Sequence, residues 1–253
     1  MIKMRIVSHI HSSDFSNDGK FSLKDIASMF KRRGVSVIFI TEHSEDMNKN
    51  KMSQLVSKCE EISNNSLALI PGLEFSVKEG YHILGIGVSK FSKMKDSKGI
   101  IRFIRKEGGL SILAHPLRYK KNDFKELKEI NAIEICNFEY DGFLPRLSNI
   151  ELFQNFKENN SGIIPVSGLD FHRKIHDQKI FIKIEDTKVE KNDILKKLKE
   201  GDFKLEFNLL SINSELKFNK LNHILFKSNS ILYDTGKRAG ISLFSFLRKI
   251  NLK

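Results

Sequence analysis

Short apolar runs rich in β-branched residues recur along the chain: MRIVS (4–8), VSVIFIT (35–41), SLALIP (66–71), YHILGIGV (81–88), LSILA (110–114), AIEIC (132–136), GIIPVSG (162–168) and KIFIKI (179–184). Each is nearly continuous in its hydrophobicity, the pattern of a strand covered on both faces. Between them lie stretches whose apolar residues return at helical spacing. Ser22-Leu-Lys-Asp25 opens one as a capping box, Ile26, Met29 and Phe30 give it an apolar face, and Gly34 stops it. Residues 51–63, 97–107, 147–158 and 189–199 read the same way. Strand–helix alternation of this kind predicts a parallel α/β architecture, and about seven units in some 200 residues suit a small barrel. The runs 205–210, 222–226 and 241–250 carry no assignable period.

The polar residues fall at particular places on this pattern. His9 and His11 follow the first run, His43 the second, His115 the fifth and His172 the seventh, with Glu42, Glu74 and Asp170 beside them. His82 is out of phase, at the start of its run. In a parallel barrel the C-terminal strand ends share one mouth, so residues distant in sequence converge there. Any one of these residues has a plain structural use: Glu42 as an ion-pair partner of His43, Asp170 as a helix cap. Together, at five strand ends, they point to one site. His176 and His223 fall outside the pattern and read as surface or core residues. Imidazole with carboxylate and no thiolate suits Zn, Mn or Fe, and more than four such ligands imply more than one ion. Clustered ions stabilise the attacking and leaving oxygens of a displacement at phosphorus, so the residues alone suggest a multinuclear metal hydrolase.

The 253 residues carry a formal charge of +12, are 40% hydrophobic and 29% charged, and hold two cysteines, Cys59 and Cys136. That composition excludes wholesale disorder and a disulfide framework, and it predicts reduced thiols in a cytoplasmic protein. No apolar run is long enough for a membrane span, and the N-terminal residues lack the features of a secretory signal. A basic balance suits an anionic phosphorylated substrate or nucleic acid. Lys outnumbers Arg 33 to 10, which weakens the nucleic-acid reading because planar bidentate contacts favour Arg. Residues 201–253 contribute +5, with Phe203, Phe207, Phe218, Phe226, Tyr233, Phe244 and Phe246 reading mostly as core rather than stacking surface.

In order, the motifs are Ser8-His-Ile-His11, Asn17-Asp-Gly19, Ile40-Thr-Glu-His43, Pro71-Gly-Leu-Glu74, Tyr81-His82-Ile-Leu-Gly, Gly109-Leu-Ser-Ile-Leu-Ala-His115-Pro, Ile133-Glu-Ile-Cys-Asn137 and Ser167-Gly-Leu-Asp170-Phe-His172-Arg. On these the chain resembles the PHP family, named for polymerase and histidinol phosphatase, over residues 4 to about 174. The stretch 180–203 is similar to the short segment that follows the domain in compact members. The resemblance implies a distorted seven-stranded (β/α) barrel spanning 1–200, with 201–253 as a basic extension packed on it. It implies a metal-dependent hydrolase of phosphoesters carrying two to three divalent ions, zinc, manganese or iron. His9, His11, Glu74 and Asp170 would hold one ion; Glu74, His82 and His115 a second; Asp18, His43 and His172 a third. Glu74, Asp170 and His172 would be the residues nearest the reaction, in which a metal-activated hydroxide attacks phosphorus. Arg118 and Arg173 follow two of the motifs and are placed to bind phosphate oxygens.

Three departures mark this chain. Ser8 stands where an acid commonly precedes the first His-x-His. Glu42 replaces the Asp of Thr-Asp-His. The loop after His11 is about two residues longer than usual, which leaves Asp14 as a rival to Asp18. The implied activity is a phosphatase or phosphodiesterase acting on a small metabolite or nucleotide, with an exonuclease-type nuclease and a non-catalytic metal-stabilised module as alternatives.

Overall fold

A computed structural model describes residues 3–119, 124–185, 190–208, 210–217 and 220–238. In chain order the elements are β1 (Lys3–Ile10), α1 (Leu23–Lys31), β2 (Val37–Ile40), β3 (Glu42–His43), α2 (Lys49–Ile62), β4 (Ala68–Ile70), β5 (Gly72–Ser76), β6 (His82–Ile86), α3 (Ser97–Lys106), β7 (Leu110–Leu113), β8 (Ala132–Asn137), α4 (Phe138–Asp141), α5 (Leu147–Asn159), β9 (Ile164–Gly168), β10 (Phe181–Glu185), α6 (Lys191–Lys199), β11 (Lys204–Glu206), β12 (Ser211–Asn213) and α7 (Lys220–Arg238). The eight apolar runs all supply strands. The capping box forms as read, with the Ser22 hydroxyl accepting from the Asp25 N–H and the Asp25 carboxylate accepting from the Ser22 N–H. The run 241–250 lies outside the described residues, as do Phe218, Phe244 and Phe246.

Among the described residues, strand pairing gives two six-stranded sheets, ordered β12-β11-β10-β1-β2-β4 and β3-β5-β6-β7-β8-β9. The expected all-parallel sheet is corrected here: β6 runs antiparallel to both β5 and β7, and β10, β11 and β12 pair antiparallel on the outer edge of β1. The two sheets meet twice. Only Thr41 separates β2 from β3, and only Pro71 separates β4 from β5. At the other junction Leu169 N–H donates to Ser8 O (3.0 Å), Phe171 N–H to His9 O (2.9 Å) and His11 N–H to Phe171 O (3.0 Å). Sheet interiors are filled by Ile6, Ile38, Phe39, Leu84, Ile112, Ile133 and Val166, all fully buried, with α1, α2, α3 and α5 each burying an apolar face. Beyond residue 200, β11 and β12 extend the first sheet, and buried Leu205, Phe207 and Ile212 join the same core.

Candidate metal centre

His9 and His11 sit two apart at the end of β1, so the alternation of strand side chains puts both on one face. His43 ends β3, Glu74 lies inside β5, His115 follows β7, and Asp170 and His172 follow β9. His82 is the first residue of β6, and the reversed direction of that strand brings its N-terminal end to the face where the other strands end. Its position out of phase in the sequence is therefore a consequence of antiparallel pairing.

Glu74 is the hub. One of its oxygens lies 2.6 Å from His82 Nδ1, 3.0 Å from His115 Nε2 and 3.5 Å from His9 Nε2; the other is 3.0 Å from His43 Nδ1 and 3.5 Å from His11 Nε2. Asp170 Oδ1 is 3.5 Å from both His9 Nε2 and His11 Nε2. Asp18 Oδ2 lies 3.2 Å from His43 Nε2 and 3.1 Å from His172 Nε2. Asp14 faces elsewhere: its carboxylate accepts from the Leu23 N–H at 2.8 Å and pairs with Lys58 at 3.1 Å. The nine residues thus come together, and Asp14 does not join them.

Burial drives the Glu74 and Asp170 carboxyls up, but the surrounding imidazoles outweigh it and hold both well below the usual carboxylate range. His43 is the mirror case: burial opposes its charge, Glu74 and Asp18 favour it, and its pKa rises to about 9. His9 is likewise raised against its burial by Asp170, Glu134 and Glu74. His11 is pushed down to about 3, by burial and by His43 and His172, whose rings lie 4.2 and 4.3 Å from its own.

These residues fit divalent ions. Three groups, His11/His43/His172, His9/Glu74/His115 and His9/His11/Asp170, each offer ligand atoms within 4.8 Å of one another. Among the described residues the buried Nε2 atoms of His9 and His11 have no hydrogen-bond partner, a costly state for a polar atom that a metal would relieve. Three residues of the set, His9 (φ 64°), His115 (φ 29°) and Asp170 (φ 51°), hold left-handed backbone, and such strain persists only where the surroundings enforce it.

The structure adds residues to those foreseen. Glu134 is fully buried and accepts from His9 Nδ1 (2.9 Å), the His115 N–H (2.7 Å) and Asn137 Nδ2 (2.8 Å), fixing two histidines at once. A lone carboxylate inside the apolar run AIEIC was its signal, since a buried acid needs partners. Tyr119 bonds His115 Nδ1 through its hydroxyl at 2.9 Å and accepts from the His82 N–H at 2.9 Å; nothing in the sequence marks it. Glu42 is buried, accepting from Ser12 N–H, Ser12 Oγ and Ser16 Oγ, and so ties down the loop that leads to Asp18. A cleft of about 340 Å³ beside the centre is lined by Asp18, Lys20, Glu139, Tyr140, His172 and Arg173, among others. His176, buried, forms its floor with Nε2 2.8 Å from Glu139, whereas His223 is exposed on α7. Arg118 is exposed, with its guanidinium 5.5 Å from the ring centre of Tyr140, and Arg173 is exposed at the cleft.

The PHP domain family model matches residues 8–209, four-fifths of the chain. The chain belongs to the PHP domain family. Among solved structures, this PHP chain is similar to a two-domain protein from Bacteroides vulgatus containing a predicted PHP-like metal-dependent phosphoesterase (19% identity, TM-score 0.64, covering 83% of this chain and 66% of that one). It is similar to PsfC from Pseudomonas syringae (15% identity, TM-score 0.56, covering 93% and 99%). It is also similar to the lesion-specific endonuclease Q of Pyrococcus furiosus (16% identity, TM-score 0.59, covering 83% and 58%). The chain therefore spans about two thirds of the Bacteroides protein and less of the endonuclease. At these identities the likeness is one of fold. None of the curated proteins matches the sequence. Among the described residues no helix is long and apolar enough to cross a membrane.

Proposed function

We propose that this PHP protein is a metal-dependent phosphoesterase that hydrolyses a phosphomonoester or phosphodiester of a small metabolite or nucleotide. The observation that carries the reading is the partnerless, buried Nε2 atoms of His9 and His11 facing the Glu74 and Asp170 carboxylates. His9, His11, Glu74 and Asp170 would hold one divalent ion, Glu74, His82 and His115 a second, and Asp18, His43 and His172 a third, with zinc, manganese and iron all suited to the donors. Such ions supply a water of lowered pKa for attack at phosphorus and positive charge for the leaving oxygen. Around them the two sheets, joined at Leu169–Phe171 and across Thr41 and Pro71, are read as a distorted seven-stranded barrel, with β10–β12 extending the β1 edge of the first sheet.

The chain's own contribution is charge and orientation. Glu134 and Tyr119 fix the imidazoles of His9 and His115, so that their free nitrogens face Glu74 and Asp170. Lys20 and Arg173 line the cleft, and Arg118 lies over the Tyr140 ring at its edge; guanidinium groups there suit the equatorial oxygens of a phosphoryl group.

A nuclease is the second reading. It is favoured by the fold shared with endonuclease Q, a structure of which holds duplex DNA with an abasic lesion at its active site, and by the charge of +12. The Glu139 carboxylate in the cleft weighs against a polyanion, because it would face neighbouring phosphates. The test is a panel of mononucleotides, sugar phosphates, aryl phosphates and labelled oligonucleotides with manganese or zinc, using wild type and Asp170→Ala. Turnover of small phosphoesters, lost in the variant, is expected. Cleavage of oligonucleotides alone, falling steeply with salt, selects the nuclease. No turnover of any substrate selects a metal-stabilised module.

A further inference from the structure

The helix α7 is far from the metal centre in sequence, yet it is bonded to the segment that forms one wall of the cleft. That segment, 138–147, follows β8 and carries Glu139 and Tyr140. Tyr140 is half-buried, with its ring 4.9 Å from that of His115 and beneath Arg118 at 5.5 Å. Its irregular backbone leaves carbonyls that no strand or long helix satisfies, and α7 satisfies them. Asn229 Nδ2 donates to Asp141 O (3.1 Å) and to Leu144 O (2.8 Å). Ser230 Oγ accepts from the Leu147 N–H (3.1 Å), and Arg146 pairs with Asp234 (2.6 Å) and covers the Tyr233 ring at 4.6 Å.

The same segment is tied inward. Asp141 Oδ2 accepts from the Asn137 N–H (2.8 Å) and Asn149 Nδ2 (2.9 Å), and Asn137 Nδ2 donates to Glu134, which holds His9. An unbroken path of hydrogen bonds thus runs from His9 through Glu134, Asn137 and Asp141 to Asn229. We propose that α7 is the positioning element of the substrate-binding wall, with Asn229 as its positioning residue, acting through 138–147 on Tyr140 and Glu139. This rests on the phosphoesterase reading for its kinetic consequence but not for its structural one. A side chain bridging two carbonyls three residues apart fixes a turn that otherwise has several conformations, and ordering the wall before substrate arrives lowers the entropy that binding must supply. The effect falls on substrate affinity, since α7 touches neither the ligand atoms nor the reacting position.

The test uses the full chain and compares Asn229→Ala, Asn229→Ser (one donor kept) and Leu232→Ser, a control on the exposed side of the same helix, where Leu232 is 73% exposed. Hydrogen exchange of the metal-free protein should be at least about tenfold faster across 138–147 in Asn229→Ala, intermediate in Asn229→Ser and unchanged in Leu232→Ser. In metal-loaded protein, KM for an aryl phosphate should rise about three- to tenfold in Asn229→Ala, with kcat within about twofold and metal content unchanged. Unchanged exchange in 138–147, or faster exchange with unchanged KM, overturns the proposal. If wild type turns over no phosphoester, the phosphoesterase reading fails, and exchange together with the affinity for inorganic phosphate decides this one in the same directions.

Discussion

Replacing Glu134 by Gln changes no volume and one oxygen, and it should weaken metal binding by one to two orders of magnitude. Both carboxylate oxygens of Glu134 face donors: Oε1 faces His9 Nδ1, and Oε2 faces the His115 N–H and Asn137 Nδ2. An amide has one acceptor and one donor end. If its NH2 faces His9, the imidazole must give up its Nδ1 proton, and the proton moves to Nε2, the atom aimed at Asp170 and Glu74. If its NH2 faces His115, a buried backbone N–H meets another donor, at a cost of about 1–3 kcal/mol. Either arrangement opposes a ligand-ready His9, and partners of metal-bound histidines are worth about 10–100-fold in affinity, or roughly 1.4–2.7 kcal/mol. Gly168→Ala approaches the same carboxylate from the other side: a Cβ there would sit 2.0 Å from Glu134 Oε1 and 3.0 Å from His9 Cβ, so it should displace the pair and mimic the loss. The assay is competition against a fluorescent chelator, with zinc and manganese, on both variants. Thermal melts of the metal-free proteins check that each remains folded. An affinity within twofold of wild type for folded Glu134→Gln would refute the reasoning.

Metal binding should release protons and strengthen with pH. His43 rises to about 9 in the metal-free protein, so it is charged at neutral pH and a metal must displace its proton; the acids around His9 shift it in the same direction. The sign for stability is the reverse: the charged His43 pairs stabilise the metal-free fold in full below about pH 6.5, and this is lost as pH rises through about 9. Calorimetric titrations in two buffers of different ionisation heat should show net proton release at pH 7, and affinity flat between pH 6.5 and 9 would contradict it. Glu42→Ala strands Ser12 and Ser16 donors and should cost about 2–4 kcal/mol of stability in thermal or urea unfolding. Burial raises the Glu42 carboxyl to about 7, so its charge is already a burden; Glu42→Gln should cost less than Glu42→Ala, and equal losses would show that the two carboxylate oxygens, and not the filled volume, carry the effect.

Much of this architecture was legible because each signal was local. The capping box at Ser22 and the apolar runs needed only neighbours a few residues away, and the motif residues needed only the rule that strand ends converge. Strand direction was not legible. His82 looked misplaced because β6 runs backwards, and the short strand Gly72–Ser76 was hidden by the polar Glu74 and Ser76 that interrupt its apolar pattern. The sequence favours Asp18 over its rival Asp14 through the Asp18-Gly19 step before the capped helix, but the geometric difference lies in where a long loop, tethered by Glu42, turns each carboxylate. Tyr119 and Asn229 act across 37 and 88 or 85 positions, on partners no local pattern names.

The centre also explains why so unfavourable an arrangement of residues can persist. His9, His115 and Asp170 each hold left-handed backbone, at about 1–3 kcal/mol apiece. His11 lies against the rings of both His43 and His172, where its own charge is suppressed to a pKa of about 3. Among the described residues, His9 Nε2 and both ring nitrogens of His11 are buried without a hydrogen-bond partner, and two carboxylates, Glu74 and Asp170, share the same small volume. Pairwise ion contacts do not cancel these terms, because the acids that favour charge on His9 and His43 repel each other across it. A divalent cation would answer the side-chain terms together: it would supply the missing partner of the His9 and His11 nitrogens, offset the repulsion between the carboxylates, and remove the need for protonated imidazoles. The fold thus carries unfavourable terms that a bound metal would offset. It follows that chelation should lower the melting temperature of the wild type more than that of a variant such as Asp170→Ala, in which the cluster has already lost its central anion.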